Sequence, residues 1–407
     1  MRIAIVNQFG YLAGGTEVYL SNLIPELRRR GFEIGFWHEL NLPGNGSQPI
    51  VAAGGSPVYS VQSLGLEAAR ETLEKWSPDL IYNQGAASDQ LNSCLLSIAP
   101  MVQFVHTYHG TCISGNKAWA FPQPRPCGRP FGWPCLAHYF PHRCGGLNPL
   151  TMIEQYKIQS RRLDSLRRCA FLLTASNHMR QEYLQHGFDP DRVIVAGLYI
   201  PLGSPRSVEH PGQEEIRILF SGRMSWLKGG MELLNAVPIV AQKANRPVRL
   251  TLVGDGPDRA KWESHAASLC AQHSGIQFQF FKWSSRQECE DLYQQHHILA
   301  MPSVWPEPFG LSGQEAFAFG LPAAAFAVGG IRDWLQDGVN GHLASGDPPS
   351  ASALAVAILR CVSDPEHYEE LRRGALSSAG RFSLERHLRI LLPVFESAVK
   401  GRVTLTR

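Results

Sequence analysis

The sequence predicts two doubly wound α/β domains that face each other across a cleft. Short apolar runs alternate with helical patterns throughout the chain, this pattern occurs on both sides of residue 200, and a polar segment separates the halves. At 407 residues the chain is too long for one ordinary core. Ligands of such sheets bind at the carboxyl ends of the strands, so we expect the site in the cleft.

Residues 1–199 are expected to form the N-terminal domain. Its buried parallel strands are predicted at 2–7, 80–84, 101–106, 170–176 and 192–197. The amphipathic run at 18–31 predicts a helix that stops at Gly31. A cysteine-rich, proline-rich insert at about 110–146 interrupts the alternation.

Residues 200–215 lack periodicity and are rich in Pro, Gly and Ser, which is typical of a linker. The C-terminal domain is expected at 216–382. Its strands are predicted at 216–222, 248–256, 276–281, 297–303 and 321–326. The closing segment 383–407 contains a helical pattern at 383–401 that is expected to bridge the domains.

Composition and charge exclude several classes of protein. A net charge of +3 argues against nucleic-acid binding, and no apolar run approaches the ~18 residues of a membrane span. The N-terminus lacks the features of a signal peptide, so a cytoplasmic protein is expected. Residues 117–180 are a basic exception. They suggest an anionic acceptor or contact with the inner face of a membrane, and a solvated helix face is the alternative.

Three stretches suggest a phosphate-bearing ligand. Gly14 and Gly15 follow the first strand and open a helix, where backbone N–H groups approach a phosphate; the alternative is a tight strand-to-helix turn. Arg223 and Lys228 follow the first strand of the second half. A diphosphate would satisfy both cations, and the alternative is a solvated loop.

The third stretch is "PSVWPEPFGLSGQEAFAFG", which carries Glu307 and Glu315 around a predicted helix start. The backbone N–H groups near Phe309, Gly310 and Leu311 suit phosphate oxygens, whereas carboxylates accept hydrogen bonds from hydroxyl groups. A nucleotide sugar offers both kinds of group. The alternative is a helix N-terminus with glutamates that favour its dipole.

The order and spacing of these motifs resemble the retaining glycosyltransferases of the GT-B fold, family 4. R-x4-K, E-x7-E with "PFGL" inside it, "GLPAAAFAVGG" and "DGVNGHL" carry the resemblance, which is closest over residues 216–345. It implies two Rossmann-like domains, a nucleotide diphosphate sugar donor and no cofactor for catalysis. Two departures are Asp333, where the family usually has Glu, and Lys282-Trp283, where it usually has Gly.

The resemblance also implies roles for individual residues. Arg223 and Lys228 would bind the donor diphosphate, Glu307 the donor-sugar hydroxyls and Glu315 the ribose. The backbone of Phe309–Leu311 would contact the phosphates and the sugar. His106, in "QFVHTYHG", would end a strand and face the reacting sugar.

The implied function is transfer of a sugar, with anomeric retention, to a hydroxyl of a glycan or lipid-linked acceptor. Synthesis of polysaccharide, glycolipid or another cell-envelope glycan is the expected context. Two alternatives stay open at this point. One is a catalytically silent nucleotide-sugar-binding protein, and the other is a nucleotide-sugar epimerase of the same architecture.

Four of the nine cysteines, Cys112, Cys127, Cys135 and Cys144, fall in the insert. A proline-rich loop of this length cannot easily bury a core of its own, so a structural zinc or disulfides are plausible staples. The spacing lacks C-x2-C pairs, and four free thiols are the alternative.

Overall fold

The computed structural model describes residues 1–41, 48–51, 57–86, 88–200, 214–282 and 286–401. Two parallel sheets, each with helices between successive strands, form the two predicted domains. The predicted fold class is therefore confirmed.

The N-terminal domain is built on a parallel sheet. Its strands are β1 (Arg2–Phe9), β2 (Glu33–Leu40), β3 (Val58–Ser60), β4 (Leu80–Asn83), β5 (Met101–Val105), β6 (Ala118–Trp119), β7 (Arg125–Pro126), β8 (Phe171–Thr174) and β9 (Val193–Val195). The sheet order is β3-β2-β1-β4-β5-β8-β9, and β6 and β7 pair separately as an antiparallel hairpin in the insert. Along β1, Ile3 and Ile5 pack into one apolar cluster and Ala4 and Val6 into another. Both faces of this strand are therefore buried, as its unbroken apolar run predicts.

Helices connect these strands. They are α1 (Gly15–Arg29), α2 (Val61–Leu64), α3 (Leu66–Trp76), α4 (Asp89–Ile98), α5 (Pro134–Tyr139), α6 (Pro149–Arg167) and α7 (Asn177–Leu184). Serine side chains cap the N-termini of α4 and α7, where Ser88 accepts from Leu91 N and Ser176 from Met179 N. Helix α1 begins at Gly15, as the glycine pair predicts, three residues before the amphipathic run at 18–31.

The C-terminal domain repeats this arrangement. Its strands are β10 (Ile216–Ser221), β11 (Val248–Val253), β12 (Ile276–Phe281), β13 (Ile298–Met301), β14 (Ala323–Phe326) and β15 (Gly341–Ala344), in the parallel order β12-β11-β10-β13-β14-β15. Its helices are α8 (Gly230–Ala244), α9 (Arg259–Gln272), α10 (Arg286–Gln295), α11 (Leu311–Phe317), α12 (Ile331–Trp334), α13 (Ala351–Val362) and α14 (Pro365–Ala379). Both sheets therefore place the carboxyl ends of their strands at one edge.

The last helix, α15 (Leu384–Lys400), returns to the N-terminal domain and packs against β4 and β5. Phe395 lies against the ring of Tyr82, with centroids 4.9 Å apart, and His387 bonds to Tyr19 Oη (2.8 Å). The chain thus crosses between the domains twice, and Ile200 N donates to Phe382 O where the crossings meet (3.0 Å).

The sequence-based prediction lacks five strands of the structure, namely β2, β3, β6, β7 and β15. Most of the predicted linker at 200–215, and residues 402–407 of the C-terminal segment, lie outside the described residues.

Candidate active site

Two loops meet at the carboxyl edge of the C-terminal sheet. One follows β10 and carries Arg223 and Lys228, and the other follows β13. Val304 N donates to Leu227 O (2.9 Å), which joins the loops. Gly229 has φ +66°, and a Cβ there would lie 1.8 Å from the carbonyl oxygen of Pro302. Only glycine permits so close an approach of the two backbones.

Glu307 is the centre of this edge. Glu307 is only 3% exposed. Its Oε1 accepts hydrogen bonds from Lys228 Nζ (2.5 Å), Ser303 Oγ (2.5 Å) and Trp305 Nε1 (3.0 Å). In the described part of the chain, Oε2 has no such partner and remains an acceptor for a ligand hydroxyl. Ser303 and Trp305 lie four and two residues before Glu307 in a loop with bends, and no sequence motif marked these two neighbours.

Glu315 and Arg223 lie at the same sheet edge. Tyr293 Oη donates to Glu315 Oε2 (3.0 Å) and also bonds to the side chain of Ser221, the last residue of β10. Burial first, and then the Glu315 carboxylate, raise the pKa of Tyr293. Arg223 lies two residues after the end of β10 and is exposed. Among the described residues its guanidinium has no hydrogen-bond or ion-pair partner. The structure thus brings Lys228 and Glu307 into contact, links Glu315 through Tyr293 to the end of β10, and places Arg223 in the loop that follows β10.

The segment Phe309–Leu311 leads into α11. Gly310 has φ +95°, which favours glycine, and Phe309 O accepts from Trp334 Nε1 (2.6 Å). The N–H groups of 309–312 have no acceptor within the described ranges. These amides therefore remain available to ligand oxygens.

The same loop contacts the N-terminal domain. Tyr108 Oη donates to Pro306 O (2.7 Å), and Ser176 Oγ donates to Pro308 O (2.6 Å). Asn177 N donates to Asp333, the residue that departs from the family pattern, and burial raises the pKa of that carboxyl. This edge of the C-terminal sheet, which we call the Glu307 edge, thus faces the N-terminal domain.

A cavity of about 540 Å³ lies on the N-terminal side. Gly14, Gly15, Gln84, His106 and Arg162 are among its lining residues. A Cβ on Gly15 would lie 3.1 Å from Leu311 Cδ1, so the glycine pair lies beside the start of α11. The cavity therefore adjoins the Glu307 edge of the C-terminal sheet.

His106 follows β5 and stacks on Phe104, with centroids 4.5 Å apart. Burial lowers its pKa to about 3, so the imidazole is neutral at physiological pH. Its Nε2 lies 2.9 Å from Gln84 Oε1; with the amide in this orientation Nε2 donates and Nδ1 is left as an acceptor. Gln84 Nε2 is buried and has no partner among the described residues. The motif analysis missed Gln84, which follows the neighbouring strand β4.

The four cysteines of the insert are all free. Burial, followed by the thiols of Cys112, Cys127 and Cys135, raises the pKa of Cys144 to about 12. No group of three or more His, Cys, Asp or Glu side chains in the described residues has an arrangement that could hold a metal ion. Zinc binding by these cysteines stays a prediction.

Five of the ten Lys and Arg side chains in the basic segment 117–180 form ion pairs within the protein. Ion pairs join Lys117 to Glu182, Arg125 to Asp347, Arg161 and Arg162 to Asp89, and Arg167 to Asp164. These contacts weaken the charge argument for an anionic acceptor. In the part of the chain that the structure describes, no helix combines the length and hydropathy needed to cross a bilayer.

Two Rossmann-like domains, with a cation–carboxylate pair at the edge that faces the partner domain, are typical of the GT-B class of glycosyltransferases. Residues 13–198 match the family described as Glycosyltransferase Family 4, and residues 206–377 match Glycosyl transferases group 1. The D-inositol 3-phosphate glycosyltransferase of Corynebacterium urealyticum is 31% identical over 95% of this chain and 91% of that protein. This chain belongs to glycosyltransferase family 4, and the predicted resemblance is confirmed.

Other relatives match over shorter segments. The D-inositol 3-phosphate glycosyltransferase of Xylanimonas cellulosilytica is 32% identical over 46% of this chain, and the match spans only 43% of that protein's length. Among solved structures, Anabaena HepE in complex with UDP and glucose superposes with a TM-score of 0.66 at 18% identity, covering 98% of this chain and 100% of the other. Sucrose-phosphate synthase from Thermosynechococcus elongatus gives 0.68 at 18% identity, with the same coverage. These structural likenesses show the fold.

Proposed function

We propose that this protein is a retaining glycosyltransferase that moves a sugar from a nucleotide diphosphate sugar to an acceptor hydroxyl. The observation that carries the proposal is the contact between Lys228 and Glu307 at the sheet edge facing the N-terminal domain. A diphosphate and a sugar hydroxyl are the ligand groups that complement this pair. HepE, which has the same fold, is described in complex with UDP and glucose.

Each residue has one task in this proposal. Arg223 and Lys228, with the free N–H groups of 309–312, stabilise the negative charge that develops on the leaving diphosphate. The acceptor hydroxyl attacks the anomeric carbon on the leaving-group face, and its proton passes to the departing phosphate oxygen as the bond to that oxygen breaks. Glu307 Oε2 accepts from a sugar hydroxyl, Glu315 from the ribose, and neutral His106 through Nδ1 orients the reacting sugar.

The acceptor belongs in the N-terminal cavity. A volume of about 540 Å³ is within the range that accommodates small ligands, and amide side chains such as Gln84 and Gln103 line it. These groups suit a hydroxyl-rich acceptor. The named relatives point to an inositol phosphate as one member of this class. The end of a glycan or lipid-linked acceptor, as in cell-envelope glycan synthesis, is another, and the cytoplasmic location stays a prediction.

Substitution of the two cations tests the proposal. Arg223→Ala and Lys228→Ala should each abolish turnover with the fold retained. The melting temperature should stay near that of the wild type in Arg223→Ala and fall in Lys228→Ala, which leaves the Glu307 carboxylate without its cation. Lys243→Ala, an exposed lysine on α8, is the matched control and should retain full activity. Near-normal activity in both test variants would discard the mechanism.

The same assay separates the two alternatives. Donor sugars are incubated with and without a panel of polyol, glycan and lipid-linked acceptors. A product that requires acceptor supports transfer, and an isomer formed from donor alone would indicate an epimerase. Donor binding without hydrolysis or transfer for any donor would indicate a silent binding protein.

A further inference from the structure

The insert and the start of α6 carry the most exposed apolar side chains in the described part of the chain. Trp133 is 74% exposed, Leu147 74% and Leu150 76%, whereas every other exposed large apolar residue there is 48% exposed or less. Large apolar groups at this level of exposure mark an interaction site rather than ordinary surface when they are grouped. We call Trp133, Leu147, Leu150 and Ile153 the apolar tip.

Contacts of neighbouring residues fix the segments that carry the apolar tip. Phe131, two residues before Trp133, packs on Tyr156 of α6 with centroids 5.1 Å apart, and Phe131 N donates to His186 Nε2 (2.8 Å). The loop carrying Trp133 is therefore fixed beside the first turns of α6. Asn148 caps α6 by accepting from Leu150 N (2.9 Å), and Leu150 and Ile153, three residues apart, share one face of that helix.

The insert is anchored to the domain below it. Lys117 Nζ bonds to Glu182 Oε1 (2.5 Å), with side chains 3% and 6% exposed, and Lys117 Nζ also donates to Arg129 O (2.5 Å). Loss of one partner of a buried ion pair strongly destabilises the folded protein, so this ion pair holds the insert in place. Exposure of Trp133 is thus a property of a fixed surface.

Exposed cations lie close in sequence to the apolar tip. Arg129, Arg143 and Lys157 are each four residues from one of its members, and Glu154 is the exposed acidic residue in the same stretch. The guanidinium of Arg143 lies over the ring of Phe121, 4.8 Å from its centroid. The sequence contains no Asp or Glu between residues 90 and 153. A positive rim around apolar side chains complements an anionic surface with an apolar layer beneath it.

We propose that the apolar tip docks this protein on a bilayer that contains anionic lipids. Trp133, Leu147 and Leu150 enter the boundary between headgroups and acyl chains, while Arg129, Arg143 and Lys157 contact the headgroups. Tryptophan suits this boundary because its ring is apolar and its N–H is polar. The proposal concerns attachment alone and does not depend on the reaction assigned above.

Vesicle binding tests it. The full chain is mixed with vesicles of phosphatidylcholine and phosphatidylglycerol in equal parts, and with phosphatidylcholine alone, and the bound fraction is measured by sedimentation. The wild type should bind the anionic vesicles, and 0.5 M salt should weaken this binding. The variant Trp133→Ser/Leu147→Ser/Leu150→Ser should bind at least tenfold more weakly. Arg143→Gln/Lys157→Gln should bind anionic vesicles more weakly but bind neutral vesicles as the wild type does.

The controls keep the result interpretable. Val356→Ser/Val399→Ser removes two exposed apolar side chains outside the apolar tip and should leave binding unchanged. Equal melting temperatures show that the triple variant is folded. Unchanged vesicle binding by the folded triple variant would overturn the proposal. So would a dimer, detected by light scattering, that the triple substitution dissolves while the wild type binds no vesicles, since the apolar tip would then be a contact between copies of this chain.

Discussion

Replacing Glu307 by Gln should reduce catalysis strongly while the fold persists. In the wild type, Oε1 accepts from Lys228, Ser303 and Trp305. Glutamine keeps an oxygen for these donors, but it cannot balance the charge of Lys228. Its NH₂ group would also replace Oε2, the acceptor that we assign to a sugar hydroxyl.

The structure sets the size of the effect. A hydrogen bond to a charged group contributes about 1.5–3 kcal/mol, and about 1.4 kcal/mol corresponds to a tenfold change in rate. We therefore expect kcat/KM to fall by roughly 10- to 150-fold. Breaking a fully buried ion pair lowers the free energy of unfolding by about 3–5 kcal/mol, but the Lys228 side chain is 26% exposed and can turn toward water. A loss of about 1–2 kcal/mol in the free energy of unfolding is the expected cost.

The assay compares kcat/KM for the nucleotide sugar with thermal melting of the same preparations. Glu71→Gln is the matched control because that carboxylate pairs with Lys75 on the exposed face of α3 (3.6 Å), in the N-terminal domain. It should leave kcat/KM unchanged. A Glu307→Gln enzyme within threefold of the wild type, or an equal loss in the control, would refute the assignment of Glu307.

Three further predictions follow from the structure. The pKa of His106 is about 3 in the folded protein against an ordinary 6.5, so its contribution to stability is complete above pH 6.5 and is lost as the pH falls toward 3. His106→Gln should therefore flatten the pH dependence of the free energy of unfolding, measured with denaturant, between pH 3 and 6.5. An unchanged pH profile would contradict the burial of His106. Gly313→Ala places a Cβ 2.1 Å from the ring of Trp334 and should lower the free energy of unfolding by about 1–3 kcal/mol, whereas Gly380→Ala meets nothing within 4 Å and should be neutral in thermal melting. If the four cysteines of the insert hold zinc, metal analysis should find one zinc per chain, lost in Cys144→Ser; four titratable thiols without zinc would contradict it.

Most of the strands that the sequence predicted are buried on both faces, although the partly exposed β12 was predicted as well. β1, β4 and β10 are short apolar runs, and the structure has strands at each of those positions. β2 was missed because Glu33, His38 and Glu39 interrupt its apolar pattern, although the tertiary structure still pairs it with β1. In such a strand the sheet, and not local composition, decides the conformation.

The motifs named candidate site residues but not the contacts between them. Lys228 and Glu307 are 79 residues apart in the sequence, so their direct bond depends on β10 and β13 being neighbours in the sheet. Gln84 follows β4 and carries no motif. Only the pairing of β4 with β5 puts it beside His106, and that strand order cannot be read from local pattern.

The return of α15 to the N-terminal domain has a consequence for building chimaeras in this family. A donor half transplanted at a single junction near residue 200 would carry α15 with it, and the recipient's β4 and β5 would meet a foreign helix in place of Phe395 and His387. A workable graft needs a second junction near Phe382, so that each parent keeps the helix that evolved against its own sheet. The hydrogen bond between Ile200 and Phe382 puts the two junctions side by side in space.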